Sequence, residues 1–391
     1  MNSLKKVNKR IFCLLVSALL IVTALVGCSQ SAPSASTAPA PSTSSTTSTP
    51  APTPAPAKTW PTKPVTCVIG YTAGGTSDIL GRVLAREMED YFSMSITPVN
   101  ITGASAAIAG RTVLEAPADG YTLLSAVAHS PSSWAVLDYA DIFWSDYYCL
   151  TTGTAPYVVV VAKDSKWTSM EQLVTEIRAN PNKYKWSSAG FGSIGQLAGE
   201  LFVQALGLEM VHIGYDGGRE AVLKVMGGDV DFNLAGYSDI ADLVASGDVR
   251  CLGFMTDDEV TVDIASPAYT VPSLLKMYPE LSVASELRSV WGLFIPRATP
   301  PEVVKEISDA VKYAMEQDRF KEAFESRQLT LLSVDGHDSD LLCARLESLY
   351  AWGLFDTGVA TKSPADYGIP RIEDFQWPPH ERAANMAPWP N

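Results

Sequence analysis

Apolar and polar positions begin to alternate in a regular way at Val65. Residues 65–71, Val-Thr-Cys-Val-Ile-Gly-Tyr, form an apolar, β-prone run of strand length. Residues 72–78, Thr-Ala-Gly-Gly-Thr-Ser-Asp, follow as a turn with two adjacent glycines and three groups able to cap a helix. Leu80, Leu84, Met88 and Tyr91 then recur at spacings of three and four, which is one face of a helix. The order strand, glycine turn, helix returns further on. Residues 185–189 read as a short strand, Gly190-Phe191-Gly192-Ser193-Ile194-Gly195 as the turn, and residues 196–206 as a helix closed by Gly207. Around these two blocks the pattern predicts strands at 95–99, 121–125, 157–162, 211–215, 230–234, 249–255 and 290–295. It predicts helices ending at Glu115 before Pro117, over 169–179, from Gly218 to the Gly227-Gly228 stop, and over 302–317. Residues 126–146 carry no clear period, and the Pro- and Trp-rich tail from Ser363 is assigned no element. Strands alternating with helices predict a parallel α/β sheet. The repeated block predicts two such lobes aiming helix N-termini at a shared cleft.

That architecture carries a chemistry. The first turn of a helix has N–H groups without intrahelical partners, and the macrodipole adds partial positive charge there. A turn of this kind holds an anion without a cationic side chain, and glycine lets the ligand approach the backbone. The blander account is an ordinary βα turn capped by Thr76 or Ser77.

Composition sharpens the picture. The chain has 391 residues, 47% hydrophobic, enough for one large or two medium cores, and its formal net charge is −14. That charge excludes nucleic acid as a partner. It also means an anionic ligand must be held by local donors rather than by the field of the whole protein. Lys5, Lys6, Lys9 and Arg10 precede an apolar segment, residues 11–22, too short to span a bilayer comfortably. Leu25-Val26-Gly27-Cys28 then resembles a bacterial lipobox, which implies a signal over residues 1–27 and lipid on Cys28. An uncleaved anchor is the alternative. Residues 28–59 after it are Ser, Thr, Ala and Pro in the main, a disordered spacer. Cys67, Cys149, Cys251 and Cys343 are widely spaced, and buried free thiols are the default. One disulfide stays open in an oxidising compartment.

Several segments, in order, resemble the substrate-binding proteins of tripartite tricarboxylate transporters, the Bug family. They are residues 71–78, 100–109, Ala116 to Leu124, Ser188 to Ser193, Leu197 to Phe202, Gly227-Gly228-Asp229-Val230-Asp231, and Trp291-Gly292-Leu293 with Pro296 and Thr299-Pro300. The resemblance spans roughly residues 62 to 355. It implies a two-lobed, type II periplasmic-binding-protein-like fold with the ligand cleft between the lobes. Lobe 1 would comprise residues 60–157 and 286–391, and lobe 2 residues 158–285. It implies a small carboxylate held by the two glycine turns with bridging waters, no cofactor, and delivery to large and small integral-membrane subunits. The expected ligand-binding set is Tyr71, Thr72, Gly74, Gly75, Thr76, Ser77, Ala126 and His129, with Gly190, Phe191, Gly192, Ser193, Tyr215 and Ala235. The chain departs from the family's usual residues near Thr72, Ile101-Thr102, Gln196 and Asp216, and Ala235 stands where an aspartate is often found.

Other chemistries compete. Gly190-x-Gly192-x-x-Gly195 with Glu209 downstream fits a nucleotide-cofactor enzyme, a poor match to an exported lipoprotein. Phe191-Gly192-Ser193-Ile194-Gly195 lacks the first glycine of a hydrolase elbow. The histidines His129, His212, His337 and His380 are scattered, and no spacing suggests a metal. His212 reads as a satisfied core residue, Trp291 as core with the cleft wall as its alternative, Asp78 with Arg82 as a surface pair, and Arg219 as solvated, with a distal ligand carboxylate as its alternative partner. A ligand-binding sensor lipoprotein that serves no transporter is the remaining alternative.

Overall fold

The computed structural model of the protein describes residues 60–263 and 266–390. The basic leader, Cys28 and the spacer lie outside the described residues. The apolar run at the start of the first block becomes Val65–Ile69 (β1), which enters the glycine turn and then Thr76–Phe92 (α1). Leu80, Leu84, Met88 and Phe92 bury one face of α1 in a core that includes Val65, Cys67 and Ile69. Ile96–Asn100 (β2), Ala107–Glu115 (α2) and Thr122–Val127 (β3) follow, with β2 and β3 parallel to β1 on its two sides. The segment without clear period holds Ser130–Trp134 (α3) and leads to Tyr147–Ala155 (β4).

One residue, Pro156, separates β4 from Tyr157–Ala162 (β5), yet the two strands belong to different sheets. Met170–Ala179 (α4), Lys185–Ser188 (β6), Ile194–Ala205 (α5), Val211–Gly214 (β7) and Gly218–Met226 (α6) come next. Phe232–Gly236 (β8), Tyr237–Ala245 (α7) and Val249–Phe254 (β9) complete this sheet, ordered β7-β6-β8-β5-β9. After the small hairpin Val260–Val262 (β10) and Tyr269–Val271 (β11), and Leu274–Met277 (α8), the chain returns as Ser289–Pro296 (β12). Pro301–Glu316 (α9), Asp318–Glu325 (α10) and Thr330–Val334 (β13) finish the first sheet, ordered β13-β4-β12-β3-β1-β2.

Both sheets are mixed, which corrects the expectation of parallel sheets. β12 runs antiparallel to β3 and β4, and β5 antiparallel to β8 and β9. A parallel neighbour needs a crossover that returns the chain to the same end of the sheet. β4 and β12 are joined instead through the whole of the second sheet, so no crossover helix sets their direction.

Gly336–Asp356 (α11) is the longest helix described and was not predicted. It buries polar as well as apolar residues. Glu347 Oε2 accepts from Trp144 Nε1 at 3.0 Å and contacts His380 Nε2 at 2.9 Å. Asp340 takes both terminal nitrogens of buried Arg297, at 2.7 and 3.2 Å. The tail is ordered around this helix as two 3₁₀ turns, Pro364–Tyr367 and Ile372–Asp374, and Glu381–Ala384 (α12). Its last described residues are pinned by the Tyr148 hydroxyl, which donates to the Pro388 carbonyl at 3.0 Å. Among the described residues the four cysteines, of six in the chain, are buried and free. Burial pushes the Cys67 and Cys251 thiols up to about 12.

Candidate functional site

The turn between β1 and α1 is braced from beneath by Asp78. Its Oδ2 accepts the Gly74 N–H at 2.9 Å, and its Oδ1 accepts Arg82 Nε and Asn100 Nδ2, both at 2.8 Å. Asn100 Nδ2 also reaches the Tyr71 carbonyl at 2.9 Å. The pair expected between Asp78 and Arg82 forms with one end buried: the Arg82 side chain is 44% exposed, while Asp78 is only 5% exposed. Neither Thr76 nor Ser77 caps α1, whose N-cap, Gly75, has no side chain to offer. The Ser77 hydroxyl instead accepts Trp291 Nε1 at 3.0 Å. The Thr76 N–H donates to Asp239 Oδ1 at 2.9 Å, and the Thr76 hydroxyl donates to the same oxygen at 2.6 Å. Asp239 lies in the first turn of α7, beside the second sheet. The α1 N-terminus is therefore closed by a carboxylate from across the cleft.

The second turn satisfies itself. Ser193 Oγ accepts the Gln196 N–H at 3.2 Å, Gln196 Oε1 accepts the Gly192 N–H at 2.7 Å, and Ser188 Oγ accepts the Gly190 N–H at 3.3 Å. His212 Nε2 lies 2.8 Å from Ser188 Oγ, and its Nδ1 lies 3.4 Å from Gln196 Nε2. The ring thus braces the turn, as a satisfied histidine should, and burial lowers its pKa to about 4. Gly190 and Gly192 have φ of +119° and +76°, values that favour glycine. A Cβ on Gly192 would meet Leu137 Cδ1 at 2.0 Å. Leu137 thereby closes the approach that a pyrophosphate would need at a dinucleotide-binding loop. Glu209 accepts from Asn182 at an exposed position instead of facing the turn.

A third helix N-terminus joins these two. α6 begins after Gly217, which has no capping side chain, and Gly217 and Gly218 line the same cavity as Gly75, Thr76, Ser193 and Ile194. The cavity is about 40 Å³ and is walled further by Tyr71, His129, Tyr157, Asp239, Ser289 and Trp291. A second chamber of about 170 Å³ shares Tyr71 and Ala189 with it and continues to Gly103–Ala106, Gly190, Phe191, Tyr215 and Asp216. His129 is 2% exposed, stacks on Tyr350 at 4.7 Å, and has an unpartnered Nδ1. Burial alone drops its pKa to about 3, so the ring is neutral. The Tyr71 hydroxyl sits 2.8 Å from Ser130 Oγ, and burial raises its pKa to about 12. The Tyr157 hydroxyl meets Ser289 Oγ at 2.9 Å where the two sheets exchange strands.

Of the residues expected from the sequence, Tyr71, Gly75, Thr76, Ser77, His129 and Ser193 line the first chamber. Gly190, Phe191 and Tyr215 line the second. Thr72, Gly74, Gly192, Ala126 and Ala235 line neither. Thr72 Oγ1 packs against Gly217, and Ala126 and Ala235 are buried in β3 and β8. Sequence reasoning missed Tyr157, Gly217, Gly218, Asp239 and Ser289 as lining residues; Trp291, expected in the core, is buried there and lines the chamber as well. The glycine pair ahead of α6 was the one available signal. Arg219 is not solvated: it pairs with Asp242 and donates to the Asp239 carbonyl at 3.3 Å. Among the described residues no group of His, Cys, Asp and Glu is placed to hold a metal ion, and no helix is long and apolar enough to cross a membrane.

Comparison with known proteins places this geometry. Residues 80–345 match the tripartite tricarboxylate transporter family receptor. Protein BugT of Bordetella pertussis is 26% identical over 278 residues, 70% of this chain and 82% of that protein. An R. palustris protein solved with adipate superposes with a TM-score of 0.68 at 23% identity, over 77% of this chain and 99% of that one. MatC from Rhodopseudomonas palustris, solved with bound malate, gives a TM-score of 0.65 at 18% identity, over 76% and 100%. The shared fold is that of periplasmic binding proteins.

Proposed function

Because this chain belongs to the receptor family of tripartite tricarboxylate transporters, we propose that it captures a small carboxylate in the cleft between its two sheets and delivers it to integral-membrane subunits. The observation that carries this reading is the convergence of three helix N-termini, those of α1, α5 and α6, on one cavity. Free N–H groups and aligned dipoles are the means by which an acidic protein holds an acid. Adipate and malate in the related structures are ligands of the same chemistry. The protein binds and releases, and it carries out no reaction. Residues 60–156 and 286–391 form one lobe and residues 157–285 the other, one residue from the boundary expected from the sequence, and the small cavity is the closed state of a cleft that opens to admit ligand. Lipid on Cys28 holds the protein on the outer face of the cell membrane. Mass spectrometry of the native N-terminus checks that anchor: a mature chain starting elsewhere removes it.

A thermal-shift panel of mono-, di- and tricarboxylates tests the function. A ligand that binds the folded state alone stabilises it by about 2.7 kcal/mol at one hundred times its Kd. At least one acid should raise the melting temperature by several degrees. A flat panel at millimolar acid removes the reading.

A further inference from the structure

The proposed site contains a charge that a receptor for simple dicarboxylates would not choose. Asp239 is the sole charged side chain lining the first chamber, since His129 is neutral, and Asp216 is the sole one lining the second. The cleft walls therefore carry two acids and no base. Asp239 also occupies the place of greatest value to an anion. Its Oδ1 holds both the N–H and the hydroxyl of Thr76 at the head of α1. Its Oδ2 accepts no hydrogen bond from the described residues and lies so close to the head of α6 that a Cβ on Gly218 would fall 2.1 Å from it. The cations nearby are engaged on the outer side: Arg219 pairs with Asp242, and Arg327 donates to the Ser238 carbonyl at 3.2 Å. His129, 2% exposed, lines the same chamber, and its Nδ1 has no hydrogen-bond partner.

On the reading that the cleft holds a small carboxylate, we propose that Asp239 sets its specificity, selecting a ligand that carries an ammonium group beside its carboxylate, an amino acid rather than a plain dicarboxylic acid. One carboxylate of the ligand takes the uncapped N–H groups at the head of α6, which lines the chamber beside the head of α5. Near Asp239 a second carboxylate meets a like charge across a space from which water is largely excluded. An ammonium group there donates to Oδ2 and makes a charge-assisted bond.

Calorimetry on the full chain tests this with matched pairs that differ by an ammonium group: propanoate and L-alanine, succinate and L-aspartate, glutarate and L-glutamate. The amino member of at least one pair should bind about tenfold or more tightly. In Asp239→Asn, which keeps the shape and the Thr76 contacts, that ratio should fall to within about threefold. A parent that binds the plain acid of each bound pair equally or better overturns the proposal without any variant. A variant that gains affinity for both members equally, keeping the ratio, also overturns it and makes Asp239 a latch between the sheets. If parent and variant bind none of the six, the carboxylate reading of the cleft fails, and the proposal fails with it.

Discussion

The turn at residues 72–78 and the turn at residues 190–196 look alike in sequence and do different work. The second is complete within itself, with Ser188, Ser193 and Gln196 answering its N–H groups and His212 standing behind them. The first is braced from below by Asp78 but completed only by Asp239, 163 residues away in sequence. One turn is rigid wherever the second sheet stands, and the other depends on the two sheets being together. Helix N-termini of equal dipole are therefore not equal sites. What distinguishes them is who supplies the cap.

Substitutions separate the two. The largest effect should come from Gly192→Val, where φ is +76° and Leu137 fills the space a side chain needs. It should cost about 3 kcal/mol or more in a urea titration and abolish ligand binding. Gly75→Val should cost under about 1 kcal/mol, because φ is −78° and the nearest atom to a new Cβ is 3.6 Å away. Equal costs would mean that the turns are equally strained. Asp78→Ala should follow, at about 3 kcal/mol, because it strips a buried carboxylate from three donors. A loss below about 1 kcal/mol would show that the first turn needs no brace.

A further effect is one of pH. His212 has a pKa near 4 folded against 6.5 for the free side chain. The unfolded chain therefore binds the extra proton between those values, and the stabilisation present above pH 6.5 is lost as pH falls towards 4. Between pH 7 and pH 4.5 the parent should lose on the order of 2 kcal/mol more than His212→Gln. Hydrogen exchange should show the loss first at residues 188–196. Equal acid sensitivity in the two proteins would mean that His212 carries no part of it.

The sequence made the local half of this legible. A strand, a glycine turn and a helix succeed one another within thirty residues; α5 and β5 are found within a residue or two of their predicted places, and α1 begins three residues earlier, taking Thr76, Ser77 and Asp78 out of the turn. The family could be recognised because its motifs lie in those same turns. What depended on distant residues could not be read. Asp239 and Trp291 meet the first turn across more than 160 positions. α11 escaped notice because it has no single apolar face: Asp340, Glu347 and Ser348 are buried along with Cys343, Tyr350 and Leu354. β4 is buried at nearly every position and so lacks the alternation that marks a half-exposed strand.

α11 has a mechanical consequence. It packs along α3 and β4 of the first sheet, and at Gly353 it presses directly on Leu197 of α5, where a Cβ would come within 2.9 Å. The tail then fastens it, through Glu347 to His380 and through Arg371 stacked 3.9 Å over Trp352. α11 thus lies against elements of both halves, α3 and β4 on one side and α5 on the other. A side chain at residue 353 would drive Leu197, and α5 with it, off the helix. The spacing of the two halves is therefore gauged at one residue of α11 that lines neither chamber.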